Sequence, residues 1–177
     1  MGKNLTIIDK DYLQWVKDLA LRYRQSQIKA AVKVNQEVLA FYYSLGKDIV
    51  EMNAEAKWGS KFLHHLSRDL KEQLPDVEGF SPTNLLYIKN FYILYSNLLF
   101  TPQPGERMTY TEITPQLGEH FAVNIFSIPW GHHKLLIDKY KNKPEVALFY
   151  VRKTIEHGWS RAMLLNFLDT NLYKRQN

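Results

Sequence analysis

The side chains of this chain best suited to chemistry are two histidine pairs, His64-His65 and His132-His133, the triplet Glu55-Ala56-Lys57, and a polar run at Thr83, Asn84, Tyr87, Lys89 and Asn90. Cysteine is absent, which removes disulfides, thiolate nucleophiles and cysteine-ligated metals. Adjacent histidines on a helix point about 100° apart, so neither pair chelates one ion as an i, i+4 pair does. Glu55-Ala56-Lys57 has the letters of a Glu-x-Lys nuclease motif, but it falls at the end of a helical stretch with no strand to present it and no aspartate placed beside it. A Gly-rich phosphate loop, a nucleophile elbow and a His-Glu-x-x-His helix are all missing. The expectation is a chain with no catalytic residue, metal site or cofactor of its own.

The polar run offers recognition rather than catalysis. Asparagine pairs with an adenine edge, lysine with guanine or phosphate, and tyrosine stacks or reaches a phosphate. What must position these groups is Gly79-Phe80-Ser81-Pro82-Thr83-Asn84-Leu85-Leu86, which has the signature of a turn opening a helix. Ser81 is placed to cap the next helix, and Pro82 takes the first helical position, where its missing N–H costs nothing. Phe80 is spaced to pack on Leu85 as a hydrophobic staple. Gly158-Trp159-Ser160-Arg161-Ala162-Met163-Leu164-Leu165 repeats the pattern, with Trp159 and Leu164 in the staple positions. Two helix-turn-helix units are one reading; two well-capped helices of an α-helical domain, touching no nucleic acid, are the other.

The hydrophobic period sorts the rest into segments. Residues 1–57 read as a long helical hairpin or one broken rod, with Gly46 inside it predicting a close approach of another backbone. Residues 58–99 hold the helix-turn-helix candidate: a helix with Ser60 as its expected cap and Pro75 as its stop, then a helix from Pro82 to about Asn97. Residues 100–127 lose the helical period and form an irregular insertion, in which 108–126 has the composition of a β-hairpin or wing. Residues 128–177 return to helix. The predicted fold is mainly α, a bundle of about seven helices around a helix-turn-helix core, winged if that hairpin forms.

With 177 residues and 45% hydrophobic content the chain can bury a substantial core. No stretch approaches the roughly 18 apolar residues of a membrane span, and the N-terminus lacks the apolar segment of a signal peptide, so a cytoplasmic protein is expected. The net charge of +5 is unevenly placed. Residues 1–127 carry 14 basic and 14 acidic side chains, whereas residues 128–177 carry 9 and 4. The surplus therefore lies in the last segment, which fits a phosphate-binding surface and equally the solvated face of a basic protein.

Trp58-Gly59, Leu66-Ser67-Arg68-Asp69-Leu70, Gly79-Phe80-Ser81, Asn84-Leu85, Phe91-Tyr92, Ile128-Pro129-Trp130-Gly131-His132-His133, Phe149-Tyr150, Gly158-Trp159-Ser160 and Leu172-Tyr173 form an ordered set. From about Asn35 to Arg175 the chain resembles the N-terminal domain of the YhcG family. That resemblance implies a bacterial helix-turn-helix or winged-helix DNA-binding domain that precedes a PD-(D/E)XK nuclease domain. The chain stops at Asn177, where the nuclease domain would begin, so no catalytic residue carries over. An excised half and a solitary version with a separately encoded nuclease partner both stay open. The region 100–127 is particular to this member.

The function expected is a non-catalytic DNA-targeting module acting on duplex DNA, with a nuclease domain or subunit and a second copy of the chain as further partners, and no membrane. Its candidate DNA-binding residues are Thr83, Asn84, Tyr87, Lys89, Asn90, Lys134, Arg152, Lys153 and Arg161, with Lys139 beside them. The alternative is a protein interaction or dimerisation module working through the N-terminal helices and surface aromatics. Convergence of the basic residues on one face favours DNA; scattered charge and a large apolar patch favour a protein.

Without a strand-borne carboxylate cluster to hold a metal, the purified chain is expected to leave supercoiled plasmid intact in magnesium or manganese. Nicking that survives repeated purification would reveal an active site.

Overall fold

A computed structural model describes residues 10–96 and 124–176. Among them eight α-helices and no strand occur: α1 (Lys10–Glu51), α2 (Ala54–Trp58), α3 (Phe62–Gln73), α4 (Pro82–Ser96), α5 (Trp130–Tyr140), α6 (Pro144–His157), α7 (Arg161–Asp169) and α8 (Leu172–Gln176), with a 3-10 turn at Ile125–Ser127. The chain divides into two units, Met1–Asn35 and Gln36–Asn177. In the described part of the first unit every residue from Lys10 to Val34 is solvent-exposed. The second unit holds the hydrophobic core.

Where a hairpin or broken rod was predicted over 1–57, one unbroken helix runs to Glu51. No glycine or proline interrupts residues 10–45, and the helix simply continues. The chain leaves the helix only at Asn53, whose φ of 50° puts it in the left-handed region that asparagine tolerates. The predicted Ser60 cap is also displaced. Lys61 occupies the cap position of α3 with no side-chain bond, and its carbonyl accepts from the His64 and His65 amides at 3.0 and 3.1 Å. Most of the predicted hairpin lies outside the described residues; at its end, Asn124 Oδ1 accepts from the Phe126 amide at 2.9 Å and opens the 3-10 turn.

The two serine caps form as their spacing dictates. Ser81 Oγ accepts from the Asn84 amide at 3.2 Å, and Ser160 Oγ accepts from the Met163 amide at 3.3 Å. Gly158 ends α6 with φ 62°, its N–H donating to the Thr154 carbonyl, a conformation that costs glycine nothing. Phe80 finds its ring partners on α1 rather than within its own helix: Phe41 at 6.1 Å and Tyr42 at 6.5 Å. Trp159 stacks on Phe167 at 4.2 Å.

The core is organised on α4. A Cβ on Gly46 would collide with the Ile88 carbonyl and stand 2.9 Å from Tyr92 Cβ, so α1 crosses α4 at a distance only glycine permits. Tyr43, one turn earlier on α1, sets its ring against Phe91 and Tyr92 of α4 and Phe126 of the 3-10 turn. On another side Phe91 meets Trp130 and His133 of α5 at 5.3 and 4.7 Å. Farther along, Tyr140 stacks on Tyr150 of α6 at 5.5 Å.

Gly46→Ala is therefore expected to destabilise the protein by about 1–3 kcal/mol through overpacking, despite the roughly 1 kcal/mol that alanine adds in a helix interior. Urea denaturation of parent and variant at one pH checks the sign. A more stable variant would show that the crossing is loose.

Candidate nucleic-acid interface

Of the polar run on α4, Thr83 alone is fully exposed. Asn84 is buried, with 7% of its surface exposed, and its side chain ties three segments together. Its Nδ2 donates to the Gly79 carbonyl, its Oδ1 accepts from Trp130 Nε1 at 2.9 Å, and its own amide is held by Ser81. Asn90 is buried as well, at 9%. Contrary to the expectation from sequence, neither asparagine is open to a base edge, because both are buried in the fold. Tyr87 is half-buried and donates its hydroxyl to both oxygens of Asp138, at 2.8 and 3.0 Å, which raises the phenol above its usual range. Lys89 is engaged by Glu55 at 2.9 Å, with 22% of its side chain exposed, and so lies against α2 rather than toward an incoming phosphate.

The reason is the environment of α4. Eight of its 15 residues are buried, so it lacks the free face with which a recognition helix enters a groove. The signal was present in the sequence: Leu85, Leu86, Ile88, Phe91, Tyr92, Ile93, Leu94 and Tyr95 encircle the helix, and a helix apolar all round is a buried one.

The C-terminal basic residues divide by partner. Lys139 pairs with Asp169 at 3.0 Å and Lys153 with Glu156 at 3.1 Å. Lys134 Nζ sits 5.3 Å from the Tyr87 ring centre, a cation–π position beside Asp138. Arg152 and Arg161 are exposed and make no ion pair among the described residues. Arg161 occupies a particular place. As the first residue of α7 it runs its stem across the start of α5, where a Cβ on Gly131 would stand 3.5 Å from Arg161 Cδ. The same two helix starts are joined by His132 Nε2 and the Trp159 carbonyl, 2.9 Å apart. No side chain caps the first turn of α5. Two helix N-termini, each carrying the positive end of its dipole, thus meet beside one unpaired guanidinium, with Lys134 one turn along α5. The arrangement suits a phosphate oxygen. Sequence reading named Arg161 but had no means of placing it at the start of α5.

His64 and His65 are exposed, and among the described residues no group of three His, Asp or Glu side chains could hold an ion. His133 is fully buried between Ile125 O, 2.8 Å from Nε2, and Tyr95 Oη, 3.2 Å from Nδ1. A carbonyl can only accept, so Nε2 carries the proton and Nδ1 accepts from the tyrosine. Sequence reading missed one further feature, an apolar cleft of about 540 Å³ whose walls include Leu45, Ile49 and Trp58, with Asp48 and Asp69 at its margin.

Burial lowers the His133 pKa from 6.5 to about 4. The unfolded chain therefore takes up a proton near pH 6.5 that the folded chain refuses until about pH 4. The neutral form's contribution is complete above that window and is lost as the pH falls through it, by up to about 3 kcal/mol. Urea denaturation from pH 7 to 4 should show this slope in the parent. It should be missing in His133→Gln, which is less stable at pH 7; parallel curves would exclude His133 as the source.

A family model described as the DUF1016 N-terminal domain matches residues 18–175. No curated protein and no solved structure matches the chain. The matched span takes in α2 to α7 entirely and most of α1 and α8. On that coverage the chain belongs to the DUF1016 N-terminal domain family, which is the YhcG N-terminal family that its ordered motifs resemble.

Proposed function

We propose that this domain is the non-catalytic DNA-targeting part of a bacterial PD-(D/E)XK nuclease-type protein, and that α6, the turn Gly158-Trp159-Ser160 and α7 act as its helix-turn-helix. The observation that carries the reading is Arg161, unpaired among the described residues and set where the N-termini of α5 and α7 meet. The exposure of α7 supports it. Only Leu164 and Leu168 of its nine residues are buried, which leaves Arg161, Met163, Leu165 and Asn166 outward, where α4 has no comparable face. The reading head thus moves from the first Gly-aromatic-Ser helix to the second. Phosphate contacts from Arg161, Lys134 and Arg152 give affinity with little sequence preference.

A second reading, a protein interaction module, is favoured by a different observation. Tyr12, Trp15, Leu21, Tyr23, Ile28 and Val34 are each more than half exposed on α1. The two readings concern different units and are compatible.

Fluorescence anisotropy with a labelled duplex at several salt concentrations tests the DNA reading. Arg161→Ala should weaken binding about tenfold, as loss of a charged hydrogen bond does, and flatten the log–log salt slope by about one unit. Lys89→Ala should bind as the parent does, since Glu55 already holds it. Unchanged binding by Arg161→Ala overturns this assignment.

A further inference from the structure

Residues 10–35 of α1 form an amphipathic helix whose apolar stripe is exposed. Leu13, Val16, Ala20, Tyr23, Ala31 and Val34 follow one another by three and four, interrupted once by Gln27, whose Nε2 donates to Tyr23 Oη at 3.2 Å. This spacing lines one side of the helix. Leu13, Val16, Tyr23 and Val34 are 43%, 40%, 65% and 63% exposed. An isolated helix exposing such a stripe gains little from propensity and is stabilised chiefly by burying it against something else.

The charges indicate what that is. The segment carries Lys10, Lys17, Arg22, Arg24, Lys29 and Lys33 against Asp11 and Asp18 only. Lys10, Lys17 and Arg24 recur every seven residues, in a row along one edge of the stripe, as flanking positions of a helix pair do. At 100° per residue both aspartates fall on the far side of the helix, and Asp18 there accepts from Gln14 at 3.0 Å. Pairing two copies of the segment, parallel or antiparallel, therefore brings no carboxylate to Lys17 or Arg24. A helix with the same apolar spacing and glutamate or aspartate on its flanks supplies both what the stripe lacks and what the basic row lacks.

We propose that residues 10–35 are a docking helix for an amphipathic helix with acidic flanks, carried by another protein. This rests on the interaction reading of the segment and is independent of Arg161 and DNA.

The test uses the full chain and a labelled synthetic helix of four heptads, with leucine at the a and d positions and glutamate at e and g. Binding is read by anisotropy at 50 and 500 mM salt, with the mass of the free chain measured by sedimentation. The expected result is a monomeric chain that binds the peptide and loses about tenfold in affinity at the higher salt, as paired flanking charges require. Lys17→Glu/Arg24→Glu should abolish that binding and gain binding to the matching peptide with lysine at e and g. Because a gain cannot come from a misfolded variant, the pair of peptides guards against a folding artefact. Self-association that strengthens with salt would keep the interaction reading but overturn the acidic partner in favour of a second copy. A monomer that binds neither peptide would overturn both. Binding to vesicles of anionic phospholipid without binding the acidic peptide would replace the protein partner by a membrane surface.

Discussion

The contact on which the second unit depends is the crossing of α1 over α4 at Gly46. With no side chain there, the backbone of α1 comes down on the Ile88 carbonyl, and Tyr92 closes over the same point. The rings nearest to it are placed in consequence. Tyr43 reaches Phe91, Tyr92 and Phe126 only because the helices are this close, and Phe91 carries the contact on to Trp130 and His133 of α5. One missing methyl thus puts α4 at the centre, and a central helix has no face left for a ligand.

Buried polar groups then restrict which arrangement of apolar side chains is allowed. Asn84 bonds to Gly79 and Trp130, and His133 bridges Tyr95 and Ile125. Tyr92 donates to Glu51 at 3.0 Å, and the buried Lys47 lies 3.5 Å from the same carboxylate. Apart from the Lys47–Glu51 pair, which is internal to α1, each bond joins elements far apart in the chain or pins a loop to a helix. Leaving any one unmade would strand a buried polar atom, so a slipped core costs more than the apolar contacts alone suggest. The same economy accounts for residues that seemed suited to recognition: side chains able to pair with bases are equally able to pair with the fold.

Charge is divided in a similar way. Lys89, Lys139 and Lys153 pair with Glu55, Asp169 and Glu156, whereas Arg161 lies by two helix starts and, among the described residues, pairs with no carboxylate. The two pairs within the last segment cancel equal charge of each sign, so its basic surplus stands, and Arg161 carries part of it where helix dipoles add to it.

Much of this was legible in the sequence because it depends on neighbours in the chain. The caps at Ser81 and Ser160, the proline at the start of α4, the glycine stop of α6, the mainly helical character and the close approach at Gly46 follow from residue types at fixed short spacings. Family membership was likewise carried by ordered local motifs. The enclosure of α4 was legible too, in apolar residues all round it, but which elements cover it, and that α7 stays open, was decided by tertiary packing. Gly-Phe-Ser and Gly-Trp-Ser open their helices alike, yet α4 lies under α1 and against α5 while α7 has one buried edge. The partners of Asn84 and Lys89 lie 46 and 34 positions away, at Trp130 and Glu55. A hydrogen bond or ion pair across such a separation leaves no trace in local periodicity, so its formation, and with it the choice between a structural and a solvent-facing side chain, belongs to the folded state alone.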